Sequence, residues 1–168
     1  MKQNTVMNKN ETKMNNIDRN GNVLVSIETA KLLKLCGFNL CVYNFYNSNG
    51  LLCEAGGSAY DWNSETGEYQ DTSAPSQSLA QKWLREVKKI SVEVKTRRWV
   101  NRYHDGKYTV SYTHELWPID TSYIVPNDKN KFIRYTIDFA CNIEFQTYEE
   151  ALEAGIKECL TKLYDGEI

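Results

Sequence analysis

The spacing of apolar and polar positions predicts three amphipathic helices. Residues 27–36 follow Ser26, whose hydroxyl can cap a helix, and precede Gly37, where a left-handed residue would end it. Residues 75–87 carry an apolar stripe at helical spacing. The third helix begins after Thr147, which opens a capping box ahead of an apolar run with helical periodicity.

Strand-like segments lie between these helices. The runs at 41–46 and 51–54 flank a turn rich in Asn and Gly, which predicts a short hairpin. Residues 56–73 are rich in Gly, Ser and acidic side chains and are typical of a long surface loop. Residues 132–143 alternate apolar and polar positions, which predicts a strand with one buried face.

A second and longer hairpin is predicted from residues 90–103 and 107–117. The Asp-Gly pair at 105–106 favours the tight turn that joins two antiparallel strands. With that turn, Trp99 would lie opposite Tyr112, and cross-strand aromatic pairs of this kind stabilise a sheet.

The order of these elements predicts the fold class. Strands grouped in hairpins and separated by helices favour an α+β domain: an antiparallel sheet of three to five strands with about three helices packed mainly on one face. Residues 1–22 contain few apolar side chains and are expected to form a flexible tail. The remaining residues, 23–168, are long enough for one domain.

Composition and charge exclude some function classes. The 168 residues carry 20 basic and 22 acidic side chains, a net charge of −2, which argues against a surface that is cationic throughout. No apolar run is long enough for a transmembrane helix, and the N-terminus does not resemble a signal peptide. The five cysteines are odd in number and lack C-x-x-C spacing. Reduced, structural thiols and a cytoplasmic location are therefore expected.

The sequence offers no recognisable catalytic or cofactor motif. The two histidines are interpreted as structural or surface residues: His104 adjoins the predicted turn, and His114 lies mid-strand, opposite Arg97 in the predicted register. The glutamates of the last helix are interpreted as a solvated face. Phosphate-binding glycine loops and zinc-ligand spacings do not occur. No metal and no cofactor is therefore predicted.

The distribution of charge is uneven. Residues 85–107 carry eight basic and three acidic side chains, a net charge of +5, whereas residues 138–168 carry eight acidic side chains and two lysines, a net charge of −6. Basic and aromatic side chains alternate in the segment 95–107, as on surfaces that bind phosphates and stack on bases. The candidate binding surface consists of Arg97, Trp99, Arg102, Tyr103 and Lys107. The alternatives are a solvated edge hairpin and a basic strip that faces the acidic helix of a partner copy.

Three blocks of the chain resemble segments of known proteins. The pieces SIETAKLLKLCGF, SAPSQSLAQKWLREV and FQTYEEALEAGIKECL are similar to recurring segments of small uncharacterised proteins from gut Bacteroidetes, their phages and mobile elements. The resemblance implies a bacterial or phage cytoplasm and an accessory role. It implies no activity, cofactor or catalytic residue.

Three functions remain open from the sequence. The favoured one is a non-enzymatic accessory or protein-interaction domain, which binds an unknown protein partner or itself and does not enter a membrane. The second is nucleic-acid binding through the basic hairpin at 95–107, which is possible but not favoured. The third is an enzyme without a recognisable motif, for which a deep pocket with convergent polar groups would be the sign.

Overall fold

The computed structural model describes residues 16–64, 70–100, 108–119 and 144–168. Within these ranges, three α-helices and two antiparallel sheets confirm the α+β class. The elements in chain order are α1 (Ile27–Leu35), β1 (Asn44–Tyr46), β2 (Leu52–Glu54), β3 (Thr72–Ser73), α2 (Gln77–Trp83), a π-helical segment (Leu84–Lys88), β4 (Ile90–Val100), β5 (Tyr108–Pro118) and α3 (Tyr148–Tyr164).

Local side chains determine both ends of α1. The Ser26 hydroxyl accepts the N–H of Thr29 at 3.3 Å, which satisfies one of the free donors of the first turn. At the other end Gly37 adopts a φ of 85°, and the N–H of Phe38 donates to the carbonyl of Leu33 at 2.9 Å. These bonds form a Schellman ending. The predicted N-cap and the predicted left-handed glycine are therefore confirmed.

The smaller sheet has the strand order β2-β1-β3, with all pairs antiparallel. Its hairpin is the predicted one, and the Asn47 side chain accepts the N–H of Leu51 at 3.0 Å across the turn. The segment 56–73, predicted as a loop, supplies β3 at its end. It is also held to the sheet by Trp62, whose indole N–H donates to the carbonyl of Val42 at 2.9 Å. An aromatic side chain therefore anchors this loop.

The larger sheet consists of β4 and β5, which pair in a register that differs from the predicted one. Trp99 pairs with Thr109 and not with Tyr112, a shift of three positions. The predicted register, which assumed a two-residue loop at the Asp-Gly pair, is therefore wrong for the described strands. The observed register instead places Val92 opposite Leu116, and both are buried. Pairs of buried apolar residues such as these determine the register of a sheet that has one buried face.

The main core lies between α3 and the larger sheet, and α1 and α2 pack against α3 from its other sides. Leu152, Ile156 and Leu160 are all buried, as their helical spacing predicts. Gly155 permits the closest approach, since a Cβ added there would lie 2.7 Å from Cγ1 of Val92. The helix therefore lies directly on the strand at this point.

The sequence places residues 16–22 in a flexible tail, but the structure places them against the domain. Ile17 forms a bridge with Val23, and the Asn16 side chain donates to the hydroxyl of Tyr46 at 2.6 Å. These contacts are largely polar, so a count of apolar residues does not reveal them. The predicted tail up to residue 15 and the predicted strand at 132–143 lie outside the described residues.

Candidate functional site: an acidic groove between α1 and α3

The predicted basic surface is only partly described. Arg97 is half-buried, and its backbone pairs with Ser111 on β5. The side chain of Trp99 and all of Arg102, Tyr103 and Lys107 lie outside the part that the structure describes. The grouping of these five residues stays a prediction.

His114 lies beneath α3 and takes a structural position. It pairs with Val94 and not with Arg97, because the register of the sheet differs from the predicted one. Its ring is 1% exposed, and Nε2 lies 2.8 Å from Oε2 of Glu158. Lys162 lies 3.5 Å from the other carboxylate oxygen of Glu158. A substrate cannot reach a ring at this depth, which agrees with the structural interpretation. His104 lies outside the described residues.

A groove of about 660 Å³ opens where the first turns of α1 and α3 meet the start of α2. Five glutamates and one lysine, Lys157, line it, which leaves four net negative charges. Val23, Leu24 and Phe145 contribute apolar surface. The glutamates are Glu28, Glu144, Glu149, Glu150 and Glu153.

The acidic side of the groove follows from the periodicity of α3. Glu149, Glu153 and Lys157 are spaced four residues apart and therefore share one face of the helix. Leu152 and Ile156 lie on the adjacent face, where they are buried. One helix thus supplies both the core and the charged surface.

Two of the glutamates form hydrogen bonds that stabilise the fold. Glu153 accepts the backbone N–H of Ser26 at 2.9 Å through one oxygen and the side-chain amide of Gln77 at 3.1 Å through the other. Glu150 accepts the N–H of Gln146 at 3.3 Å, next to the cap of α3. Glu153 therefore joins the three helices together, and Glu150 completes a helix end.

Two other glutamates line the groove and form no hydrogen bonds of this kind. Glu28 lies on the first turn of α1 and Glu149 on the first turn of α3. Neither has a hydrogen-bond or ion-pair partner among the described residues. Carboxylates placed in this way attract a cationic ligand.

The negative charge of the groove also acts on a buried phenol nearby. The Tyr46 hydroxyl donates to the carbonyl of Val25 at 2.8 Å and accepts from Asn16. Burial raises the pKa of Tyr46 to about 12, and the charge of Glu153 acts in the same direction. The phenol therefore remains neutral and supports the wall of the groove.

Two of the described cysteines have thiols that are poorly suited to nucleophilic chemistry. The cysteines in the described part of the chain are all free, and burial raises the pKa of Cys36 and also that of Cys159, the latter to about 12. A thiol with a raised pKa is a poor nucleophile at neutral pH. Within the same residues no group of three or more His, Cys, Asp or Glu side chains could hold a metal ion.

The groove could not be found from the sequence. The acidic face of the last helix is visible there, but Glu28 and Gln77 lie far away along the chain. Only the packing of α1 and α2 on α3 brings them together. The repeat of charged residues every four positions on α3, beside the uneven charge of the chain, was the one available signal.

The fold and the groove define an α+β domain with an acidic concave surface. Comparisons with protein-family models, with curated proteins and with solved structures find no match to this chain. Among the described helices, none combines the length and the apolar character needed to cross a bilayer.

Proposed function

We propose that this chain is a non-enzymatic protein-interaction domain that binds a Lys- or Arg-rich segment of a partner protein in the acidic groove. The observation that carries the proposal is the position of Glu28 and Glu149 on two different helices at one concave surface. Complementary charge would steer and orient a basic segment. The apolar lining from Val23 and Phe145 would contact its aliphatic portions.

The state of the other polar groups supports binding over catalysis. Both oxygens of Glu153 accept hydrogen bonds from the protein, so this carboxylate is committed to holding the helices. His114 and Glu158 do not line the groove, and the His114 ring is buried. The described histidine is therefore absent from the groove, and the carboxylates of Glu28 and Glu149 are available there to bind cations.

The resemblance to Bacteroidetes and phage proteins supports the same region. Each of the three similar blocks supplies groove-lining residues: Ser26 and Glu28 come from the first, Gln77 from the second, and the first turns of α3 from the third. An accessory protein in a bacterial or phage cytoplasm is the context that we propose.

The test is a titration of a fluorescently labelled peptide in which Lys and Arg alternate with Gly and Ser, followed by anisotropy. The double variant Glu28→Gln/Glu149→Gln should bind about tenfold more weakly, because each exposed ion pair contributes about 0.2–1 kcal/mol. The matched control is Glu93→Gln, which removes an exposed carboxylate on β4 outside the groove.

Further measurements make the result decisive. Binding should weaken as salt is added, because the contact is between exposed charges. An acidic peptide of equal length should not bind. Absence of binding at low salt, or equal loss in the Glu93→Gln control, would overturn the proposal.

A further inference from the structure

A basic turn lies at the end of the second helix. We define the basic turn as residues 85–89, in which Arg85, Lys88 and Lys89 stand against one acid, Glu86, for a net charge of +2. Val87 lies between Glu86 and Lys88 in this turn and is 56% exposed. Segments of π-helix are rare in proteins overall, and those that occur are often found at functional sites.

Backbone hydrogen bonds on both sides of Lys89 hold the basic turn in place. Lys89 adopts a left-handed φ of 60°, which is unusual for a residue other than glycine. Its N–H donates to the carbonyl of Leu84, and its own carbonyl accepts the N–H of Ile119 at 2.6 Å. A turn that is already ordered loses little conformational entropy when it binds.

The basic turn and the acidic groove are complementary. The groove combines unpaired carboxylates with the apolar surface of Val23 and Phe145. The turn combines cations with the exposed Val87. We infer that a second copy of this chain supplies the basic segment and that its basic turn enters the groove, an inference that rests on the proposed function.

The two surfaces lie at opposite ends of α1. The N-cap Ser26 donates its N–H to Glu153 in the groove. At the other end Phe38 packs on Trp83, with ring centroids 5.5 Å apart, and Nζ of Lys88 lies 5.2 Å from the centroid of the Trp83 ring. The 9 residues of α1 span about 13 Å at 1.5 Å per residue. One molecule therefore does not fill its own groove with its own turn, and the copies join head to tail.

A head-to-tail contact uses two different surfaces, so it leaves one of each free after every addition. The wild-type chain should form open assemblies that grow with protein concentration and dissociate as salt is added. Sedimentation velocity at low salt measures this growth as an increase in mean mass.

Charge-reversal variants provide the specific test. Glu28→Lys/Glu149→Lys removes the acidic groove, and Arg85→Glu/Lys89→Glu removes the basic turn. Each variant alone should remain monomeric, because it keeps only one of the two surfaces. Their equimolar mixture should associate again, because the basic turn of the first variant meets the acidic groove of the second, and the reversed turn of the second meets the reversed groove of the first. Glu93→Lys is the matched control and should associate like the wild type.

Two further observations separate this inference from the proposed function. An excess of the basic peptide should dissociate the wild-type assemblies, a measurement that needs no variant. Wild-type protein that binds the peptide but stays monomeric at every concentration would overturn self-association and leave the proposed function intact. Association that persists in both charge-reversal variants would also overturn self-association through these two surfaces.

Discussion

His114 on β5 and Glu158 on α3 are joined across the core, with Nε2 of the ring 2.8 Å from Oε2 of the carboxylate. The ring is buried, and its second nitrogen, Nδ1, has no partner among the described residues. The bond to Glu158 is thus the polar contact that the structure gives this ring. It ties the helix that carries the acidic groove to the sheet beneath it.

Removal of this contact should destabilise the fold without affecting the groove directly. We expect Glu158→Ala to lower the free energy of unfolding by about 1–3 kcal/mol, because it leaves a buried ring nitrogen unsatisfied. Glu158→Gln should cost less, since the amide can still form a hydrogen bond. Urea denaturation measures both, and equal stability of Glu158→Ala and wild type would show that the contact contributes nothing.

Gly155 should not tolerate even a methyl group. A Cβ at this position would lie 2.7 Å from Cγ1 of Val92 and 3.0 Å from Cβ of His114. We expect Gly155→Ala to destabilise by about 1–3 kcal/mol through overpacking, although alanine favours helix. Val92→Ala removes the atom in closest contact, so the double variant should lose less than the sum of the single changes. Thermal or urea unfolding of the wild type, the two single variants and the double variant measures the four free energies of this double-mutant cycle.

The helix ends are the part of the fold that the sequence predicts best. Ser26, Gly37 and Thr147 act on backbone groups within a few residues, so their effect is visible in a short window. The apolar faces of α1 and α3 follow for the same reason. The surfaces against which these faces pack cannot be predicted in this way, because they are formed by residues distant in the chain.

The strand register and the groove show where local inference fails. The Asp-Gly pair is a strong turn signal, but burial of Val92 with Leu116 is the pairing that the structure adopts. The groove requires Glu28 and Glu149, which are separated by more than a hundred positions. Only tertiary packing brings such residues together.

The N-cap of α3 offers a test of that local inference. The Thr147 hydroxyl accepts the N–H of Glu150 at 3.1 Å. Thr147→Ala should therefore destabilise by about 1 kcal/mol and lower the melting temperature. Thr161→Ala is the control: its hydroxyl donates to the carbonyl of Lys157 within the helix, and this change should be neutral or stabilising. An unchanged melting temperature in Thr147→Ala would contradict the capping role.

Ionisation of Tyr46 should lower the free energy of unfolding of the protein at alkaline pH. Burial and the nearby charge of Glu153 raise its pKa to about 12 in the folded state, against about 10 when unfolded. A raised pKa means that the neutral phenol is preferred in the fold. Its contribution is complete below pH ~10 and is lost as the pH rises towards ~12. The stability difference between wild type and Tyr46→Phe should therefore be constant below that window and change within it.

Denaturant titrations at several pH values measure this difference. Tyr164→Phe, at a mostly exposed position, serves as the control for loss of one phenol. A phenolate absorbance titration provides an independent check: the late ionisation step of Tyr46 should be missing in Tyr46→Phe. Its persistence in the variant would assign the late step to another tyrosine.

We predict that the protein has no measurable affinity for single-stranded DNA or RNA at physiological salt. Lys95 is ion-paired with Glu115, and Arg97 is half-buried, so neither is a freely exposed cation. Phe145, which lines the acidic groove, forms a backbone bridge to Tyr112 next to these residues. Four net negative charges therefore lie close to the hairpin and repel phosphates.

The measurement is a titration of labelled oligonucleotide into the wild type and into the double variant Arg97→Ala/Trp99→Ala. We expect the two proteins to behave alike, with weak binding that disappears as salt is added. The charge-reversal variant Glu28→Lys/Glu149→Lys should bind more strongly than either, because it removes the repulsion. Micromolar or tighter binding by the wild type that the double variant loses would instead assign the hairpin to nucleic acid, since cation and ring would then act together on phosphate and base.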